Sequence, residues 1–161
     1  MTTKEFNEIV DNYSDNVYRF ILKNVKDKEK AKDIVQDSFE KLWINKNLIE
    51  IDKVKTYLFT TAYHTMIDGI RKDKRNIKLD EKKEKEQSHS NQYSDLQEIL
   101  HNAINKLPED QKAVILLRDY EGYSYGEISK ITGLTEAQVK VYIYRGRVFL
   151  KDFIKTIENV I

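Results

Sequence analysis

No cysteine occurs in the 161 residues, which excludes a disulfide framework and any thiolate metal site and fits an intracellular chain. A single proline and five glycines leave few places where a helix must break. No run alternates as a strand would, and apolar residues recur three and four apart along most of the chain, so the expected fold class is all-α. No apolar run is long enough to cross a membrane. The opening stretch, MTTKEFNEIVDNYSD, is acidic and polar where an export signal needs a basic start and an apolar centre. The expectation is a cytoplasmic protein with no membrane insertion. Glycine-rich phosphate loops, nucleophile elbows and zinc motifs are missing too. His64 and Asp68 stand four apart, a spacing that suits a base with its orienting carboxylate or half of a metal site. With only three histidines in the chain no third ligand is evident. Neither catalysis, a cofactor nor a metal is expected.

What the chain does contain is charge, 34% of its residues, balanced to a formal net of +1. A protein that held duplex DNA tightly by itself would carry a marked basic excess, because neutralising phosphates supplies most non-specific affinity. Near-neutrality therefore points to help from a partner. The placement of a few of the basic residues is nevertheless informative. Residues 124–147, SYGEISKITGLTEAQVKVYIYRGR, hold two S/T-x-x-E/Q capping boxes, Ser124 with Glu127 and Thr135 with Gln138, separated by Gly133. Two short helices meeting at an angle, a helix-turn-helix, are predicted. Ile128, Ile131, Leu134, Val139, Ile143, Val148 and Leu150 would fill the angle. Lys140, Tyr144, Arg145, Arg147 and Lys151 would face outward, a composition suited to the major groove. A basic solvated face on a helical bundle is the plain alternative.

Upstream, periodicity predicts a helix over 4–24, burying Phe6, Ile9, Val10, Tyr13, Val17, Phe20 and Ile21. Asp27 should cap a second helix to Trp43, burying Ala31, Ile34, Val35, Phe39, Leu42 and Trp43. After a loop over 45–51, Asp52 is read as the cap of a third helix through Arg71, with Val54, Leu58, Ala62, Met66, Ile67 and Ile70 inside. Residues 72–93 are mixed charge with almost nothing apolar, too little to offset the entropy of ordering, and read as a linker with some helix at its start. Ser94 and Gln97 would box a helix through Lys106. Pro108 suits the first turn of the next, whose acidic Glu109 and Asp110 complement the dipole and which should stop before Gly122. The expected domains are 1–73, a linker over 74–93, and 94–161.

Three motifs in this order, DIVQDSFEKLW at 33–43, TYLFTTAYHTMIDGIRK at 56–72 and LPEDQKAVILLRDYEGYSYGEIS at 107–129, resemble the extracytoplasmic-function (ECF) sigma factors over nearly the whole chain. The resemblance implies two helical domains that bring core RNA polymerase to promoter DNA and assist its opening. It implies that Asp33, Gln36 and Asp37 dock on the β′ clamp helices of the polymerase and that the second domain meets the β flap. It also implies that the third helix and the loop before it hold the melted minus-10 element through Lys53, Lys55, Phe59, Tyr63, His64, Arg71, Lys72 and Arg75. Unpaired bases need aromatic surfaces and backbone-tracking cations, which these side chains supply. Tyr57 would be partly core, and Tyr63 and His64 exposed. Thr135, Lys140, Tyr144, Arg145 and Arg147 would contact the duplex minus-35 element, Thr135 either as a phosphate donor or only as a cap. An anti-sigma factor is the further partner implied. His64 replaces a common asparagine, and Val141-Tyr142 a usual serine-arginine pair, so base preferences should differ from those of typical relatives.

Two readings compete. A dimeric helix-turn-helix regulator would self-associate and bind a palindromic duplex without polymerase. A non-DNA interaction module would leave the basic face incidental.

Overall fold

In this computed structural model residues 1–77 and 95–160 are described, and they form helices throughout. Helix α1 (Thr3–Val25) opens on a capping box in which the Thr2 hydroxyl accepts from the Glu5 amide at 3.1 Å and the Glu5 carboxylate accepts from the Thr2 amide at 3.3 Å. Lys26 ends it in a left-handed conformation, its amide donating to the Leu22 carbonyl. The Asp27 carboxylate then accepts from the amides of Glu29 and Lys30 and starts α2 (Lys28–Ile44), as expected. A 3-10 turn, Ile51–Lys53, leads into α3 (Val54–Ile77). Asp52 is thus not a cap: it lies inside the 3-10 turn, which begins after Glu50 with no side-chain cap at all. Helix α3 also runs on past Arg71, so residues 74–77, read as linker, are helical.

Beyond the undescribed stretch, which contains most of the expected linker and Ser94 of the expected capping box, comes α4 (Asp95–Asn105). Pro108 then stands just before α5 (Glu109–Ile115) rather than in its first turn, and the acidic pair follows it. The end of α5 widens into a π turn over Leu116–Tyr120, with the Glu121 amide donating to the Leu116 carbonyl at 3.1 Å. Gly122, at φ 76°, reverses the chain in a conformation that a Cβ would disfavour. The Tyr123 amide consequently donates back to the Leu117 carbonyl at 3.0 Å, and its ring turns toward the N-terminal half. The last two helices are α6 (Tyr125–Thr132) and α7 (Glu136–Val160).

Val17, Phe20, Ile21, Leu42, Leu58, Ala62 and Met66 make the centre of the α1–α3 bundle, and Ala113, Val114, Leu117, Ile128, Ile131, Val139 and Ile143 that of the second. The two centres join into one apolar cluster. Trp43 departs from expectation: it sits at the bundle rim, edge-on to Phe6 at 4.9 Å, with the Lys46 ammonium 3.2 Å over its exposed face. Val148, also expected inside, is exposed, because α7 turns its buried stripe through Val139, Ile143 and Gly146. At Gly146 the helix presses on α5, and a Cβ there would stand 3.2 Å from Ile115 Cγ1 and closer still to its Cδ1. Gly146→Val should therefore overpack this crossing and destabilise the fold by about 1–3 kcal/mol, read as a lower urea midpoint at unchanged slope.

Candidate nucleic-acid interface

The helix-turn-helix is built from its caps. The Ser124 hydroxyl accepts from the Glu127 amide and the Glu127 carboxylate from the Ser124 amide, both at 3.1 Å. That backbone bond holds the Glu127 carboxyl below its ordinary range. Gly133 ends α6 at φ 79°, and the Ser129 hydroxyl donates to the Leu134 carbonyl at 2.6 Å, tying down the turn. The second box repeats the first, Gln138 accepting from the Thr135 amide at 2.9 Å and Thr135 from the Gln138 amide at 3.1 Å. Ile128, Ile131, Val139 and Ile143 are buried in the angle, with Leu134 half-buried.

On the outer side of α7, Lys140, Tyr144, Arg145, Arg147 and Lys151 are all exposed, as is Thr135. Lys140, Tyr144, Arg147 and Lys151 border a shallow cleft of about 310 Å³ against Tyr125 of α6. Arg147 is already engaged, with Nη2 2.6 Å from Asp119 Oδ1, an interaction that raises its pKa. Arg145 makes no such pair among the described residues. Tyr142 is half-buried against the core, so of the Val141-Tyr142 pair only Val141 faces out.

Asp33 and Gln36 are exposed on α2, and Asp37 is partly so, within 3.2 Å of Lys41 Nζ. The three share the side of the helix away from the buried Ala31, Ser38 and Leu42, and Gln36 donates to Glu40 at 3.3 Å. Asp33 also borders a crevice of about 420 Å³ between the two halves.

Helix α3 divides its expected residues. His64, Arg71, Lys72 and Arg75 are exposed, and Lys53 in the turn before it lies 3.5 Å from Glu50. Phe59 and Tyr63 are not exposed, with 0% and 5% of their surface accessible. The expectation that Tyr63 stands open is corrected, and the reason is the second half of the chain. Phe59 packs between Phe20 and Tyr123, centroids at 5.5 and 5.3 Å, and the Lys55 ammonium lies 5.1 Å over the Tyr123 ring. Tyr63 is covered near the start of α5, where burial, reinforced by Asp110, pushes its phenol up to about 12. Polar contacts secure the same seam. Arg19 grips Glu121 through both carboxylate oxygens at 2.8 and 3.0 Å, with the Glu121 side chain only 4% exposed. Lys112, its pKa lowered by burial, donates to the Asn24 carbonyl at 3.1 Å, and Lys74 reaches Glu109 at 3.3 Å.

The seam residues Arg19, Tyr123 and Glu121 escape sequence reasoning, since nothing in periodicity links positions about a hundred apart. Gly122 is the one local signal, marking where the chain must reverse.

Sigma-70 region 2 matches residues 9–76 and sigma-70 region 4 matches 97–150. The chain is 31% identical to the ECF RNA polymerase sigma factor SigM of Bacillus subtilis over 150 residues, covering 89% of this chain and 91% of that one. It is 30% identical to SigW of the same organism over 162 residues, covering 91% and 87%. Among solved structures, the sigma factor RpoE of Bartonella quintana, in complex with the anti-sigma factor NepR, superposes with a TM-score of 0.81 at 27% identity, over 95% of this chain and 98% of that one.

Because the Tyr63 phenol ionises at higher pH when folded than when unfolded, its packing contributes fully below about pH 10 and is lost as pH rises toward about 12. Tyr63→Phe should remove one late-ionising phase, near pH 12, from a tyrosinate absorbance titration, leave the still later Tyr123 phase in place, and flatten the fall in stability over that window.

Proposed function

This chain belongs to the ECF family of RNA polymerase sigma factors, non-enzymatic proteins that direct polymerase to promoters, and from that premise we propose how its surfaces divide the work. The α2 face of Asp33, Gln36 and Asp37 docks on the β′ clamp helices, two carboxylates and an amide meeting a basic surface, and the second half meets the β flap. Helix α7 enters the major groove of the minus-35 element, with Arg145 at base edges or phosphate and Lys140, Tyr144 and Arg147 beside it. Thr135 both caps α7 and adds a phosphate contact near the helix start. Helix α3 holds the displaced minus-10 strand, with Phe59, Tyr63 and His64 as stacking surfaces and Lys53, Lys55, Arg71, Lys72 and Arg75 along the backbone. The working domains are 1–73 and 94–161 joined by 74–93, in the cytoplasm.

The observation that carries this reading is the covered α3 face. Lys55, Phe59 and Tyr63 are closed over by Tyr123, α6 and the start of α5, while the α2 docking face and the outer side of α7 stay open. Free protein therefore displays its polymerase and duplex contacts but withholds its single-strand surface, and separation of the halves on the polymerase releases it. An anti-sigma partner would hold the free protein back in the same sense, a reading supported by the relative solved with NepR.

The test is in-vitro transcription from a promoter library with purified bacterial core polymerase. Start-site-specific transcripts that appear only with this protein and share two spaced elements are expected. A palindromic duplex site bound without core polymerase would sink the reading. Asp37→Lys should reduce core association in a pull-down while leaving the melting curve in place. Glu121→Ala removes a doubly held carboxylate worth about 1–2 kcal/mol to closure. It should tighten binding of a single-stranded minus-10 oligonucleotide by about five- to thirty-fold in fluorescence anisotropy.

A further inference from the structure

Helix α7 does not present a simple basic face. Opposite its buried line of Val139, Ile143 and Gly146 runs a ridge of Ala137, Val141, Tyr144 and Val148, spaced as successive turns of one helical edge. Val141 is 43% exposed, Tyr144 70% and Val148 41%, and Ala137 is exposed as well. Cations flank the ridge, Lys140 and Lys151 along one side and Arg145 along the other. The part of the helix that projects furthest is thus apolar, and the charge lies on its shoulders.

Two polar side chains at the start of α7, Glu136 and Gln138, stand to either side of this ridge. The Gln138 side-chain carbonyl accepts from the Thr135 amide, which turns that oxygen back toward the cap. The Glu136 carboxylate lies against α6, with Oε1 2.9 Å from where a Cβ on Gly126 would stand. On the ridge itself, what meets a base pair under the first two turns is two sets of methyl groups, those of Ala137 and Val141. In the major groove only thymine offers an apolar partner, its 5-methyl, since every other base edge there presents donors and acceptors. Recognition helices contact base edges with their N-terminal residues, and cations on both shoulders suit the phosphate walls on either side.

We propose that Ala137 and Val141 read thymine 5-methyl groups at adjacent base pairs of the upstream element, with Lys140 and Arg145 setting the helix's register on the backbone. This rests on the reading of α7 as the minus-35 helix and specifies what that helix discriminates. Small side chains at both positions let the helix lie close enough for methyl contact. Val141 supplies the larger patch and governs the discrimination.

The experiment uses full-length protein, core polymerase and one promoter recovered from the library, with each thymine of the upstream element replaced singly by deoxyuridine. The substitution deletes the 5-methyl and keeps the pairing and all groove donors and acceptors. One or two positions should lose transcription by about three- to ten-fold. With Val141→Ala, an exposed substitution that leaves the core untouched, the thymine and deoxyuridine templates should become nearly equal at one of those positions. Uniform indifference to deoxyuridine on an active promoter would overturn the proposal, as would a loss that Val141→Ala leaves unchanged. Should the ridge instead join two copies of the chain, Val141→Asp would convert a dimer to monomer in analytical ultracentrifugation, with no methyl dependence, and the proposal would fall. If the unsubstituted promoter gives no specific transcript, the reading beneath it fails first, and the proposal with it.

Discussion

The burial of Phe59 between Phe20 and Tyr123 is the contact on which the rest of the arrangement depends. Each half has its own apolar centre, and without this stack they would be separate bundles joined only through a charged segment. An aromatic of this size removes a large apolar area from water, and its tilted and edge-on neighbours add geometric preference to that burial. Arg19–Glu121 and Lys112–Asn24 then fix the angle at which the halves meet, because a bidentate guanidinium and a buried ammonium tolerate little displacement. The apolar contact supplies the adhesion and the polar ones the register.

A seam made in this way is well suited to opening. Lys112 and Asn24 apart, its polar members keep solvent access on one side: the Arg19 side chain is half exposed, and Lys74 and Glu109 lie at the surface. Once the halves part, each group is hydrated rather than stranded, so the desolvation penalty recovered partly offsets the attraction lost. Phe59 and Tyr63 are different. They would become exposed aromatics, a state that costs free energy in water but is relieved when unpaired bases stack on them. On the proposed reading of α3, a single chemical feature would account both for closure in the absence of DNA and for affinity toward melted strand in its presence. Opening and strand capture are then linked: whatever holds the single strand stabilises the open form by mass action, and whatever tightens the seam weakens strand binding by an equal factor.

Local chemistry was legible in the sequence wherever it is completed within a few residues. Both helix-turn-helix boxes, the Asp27 cap, the left-handed Gly133 and the buried faces of α1 and α6 follow from spacing alone, as does that of α2 apart from Trp43, because the partners of each bond lie two to four positions apart. Asp52 was misleading for an instructive reason. An acidic residue before an apolar run satisfies the cap pattern, but the chain enters α3 through a 3-10 turn, which places that residue one step inside the helical path. The burial of Tyr63 and the exposure of Val148 lay beyond reach, since each is decided by a partner element. Tyr63 is closed over by a helix far along the chain, and Val148 is turned outward by the way Gly146 seats α7 on α5.

That seating also explains why the outer ridge of α7 is what it is. A helix packed through a glycine sits close to its neighbour, and the rotation that brings Gly146 against Ile115 leaves no freedom in which side chains point away. The residues opposite Val139, Ile143 and Gly146 are necessarily Ala137, Val141, Tyr144 and Val148, whatever their chemistry. Apolar side chains at these places gain nothing from solvent and are not needed by the core, which leaves them free to meet something outside the protein. The cations on either shoulder limit what that can be. A purely apolar partner would leave Lys140 and Arg145 uncompensated, whereas the major groove offers phosphates at its edges and thymine methyls on its floor. Packing inside the protein, at one glycine, thereby selects which side chains face outward, and under the proposed reading these are the ones that would read DNA.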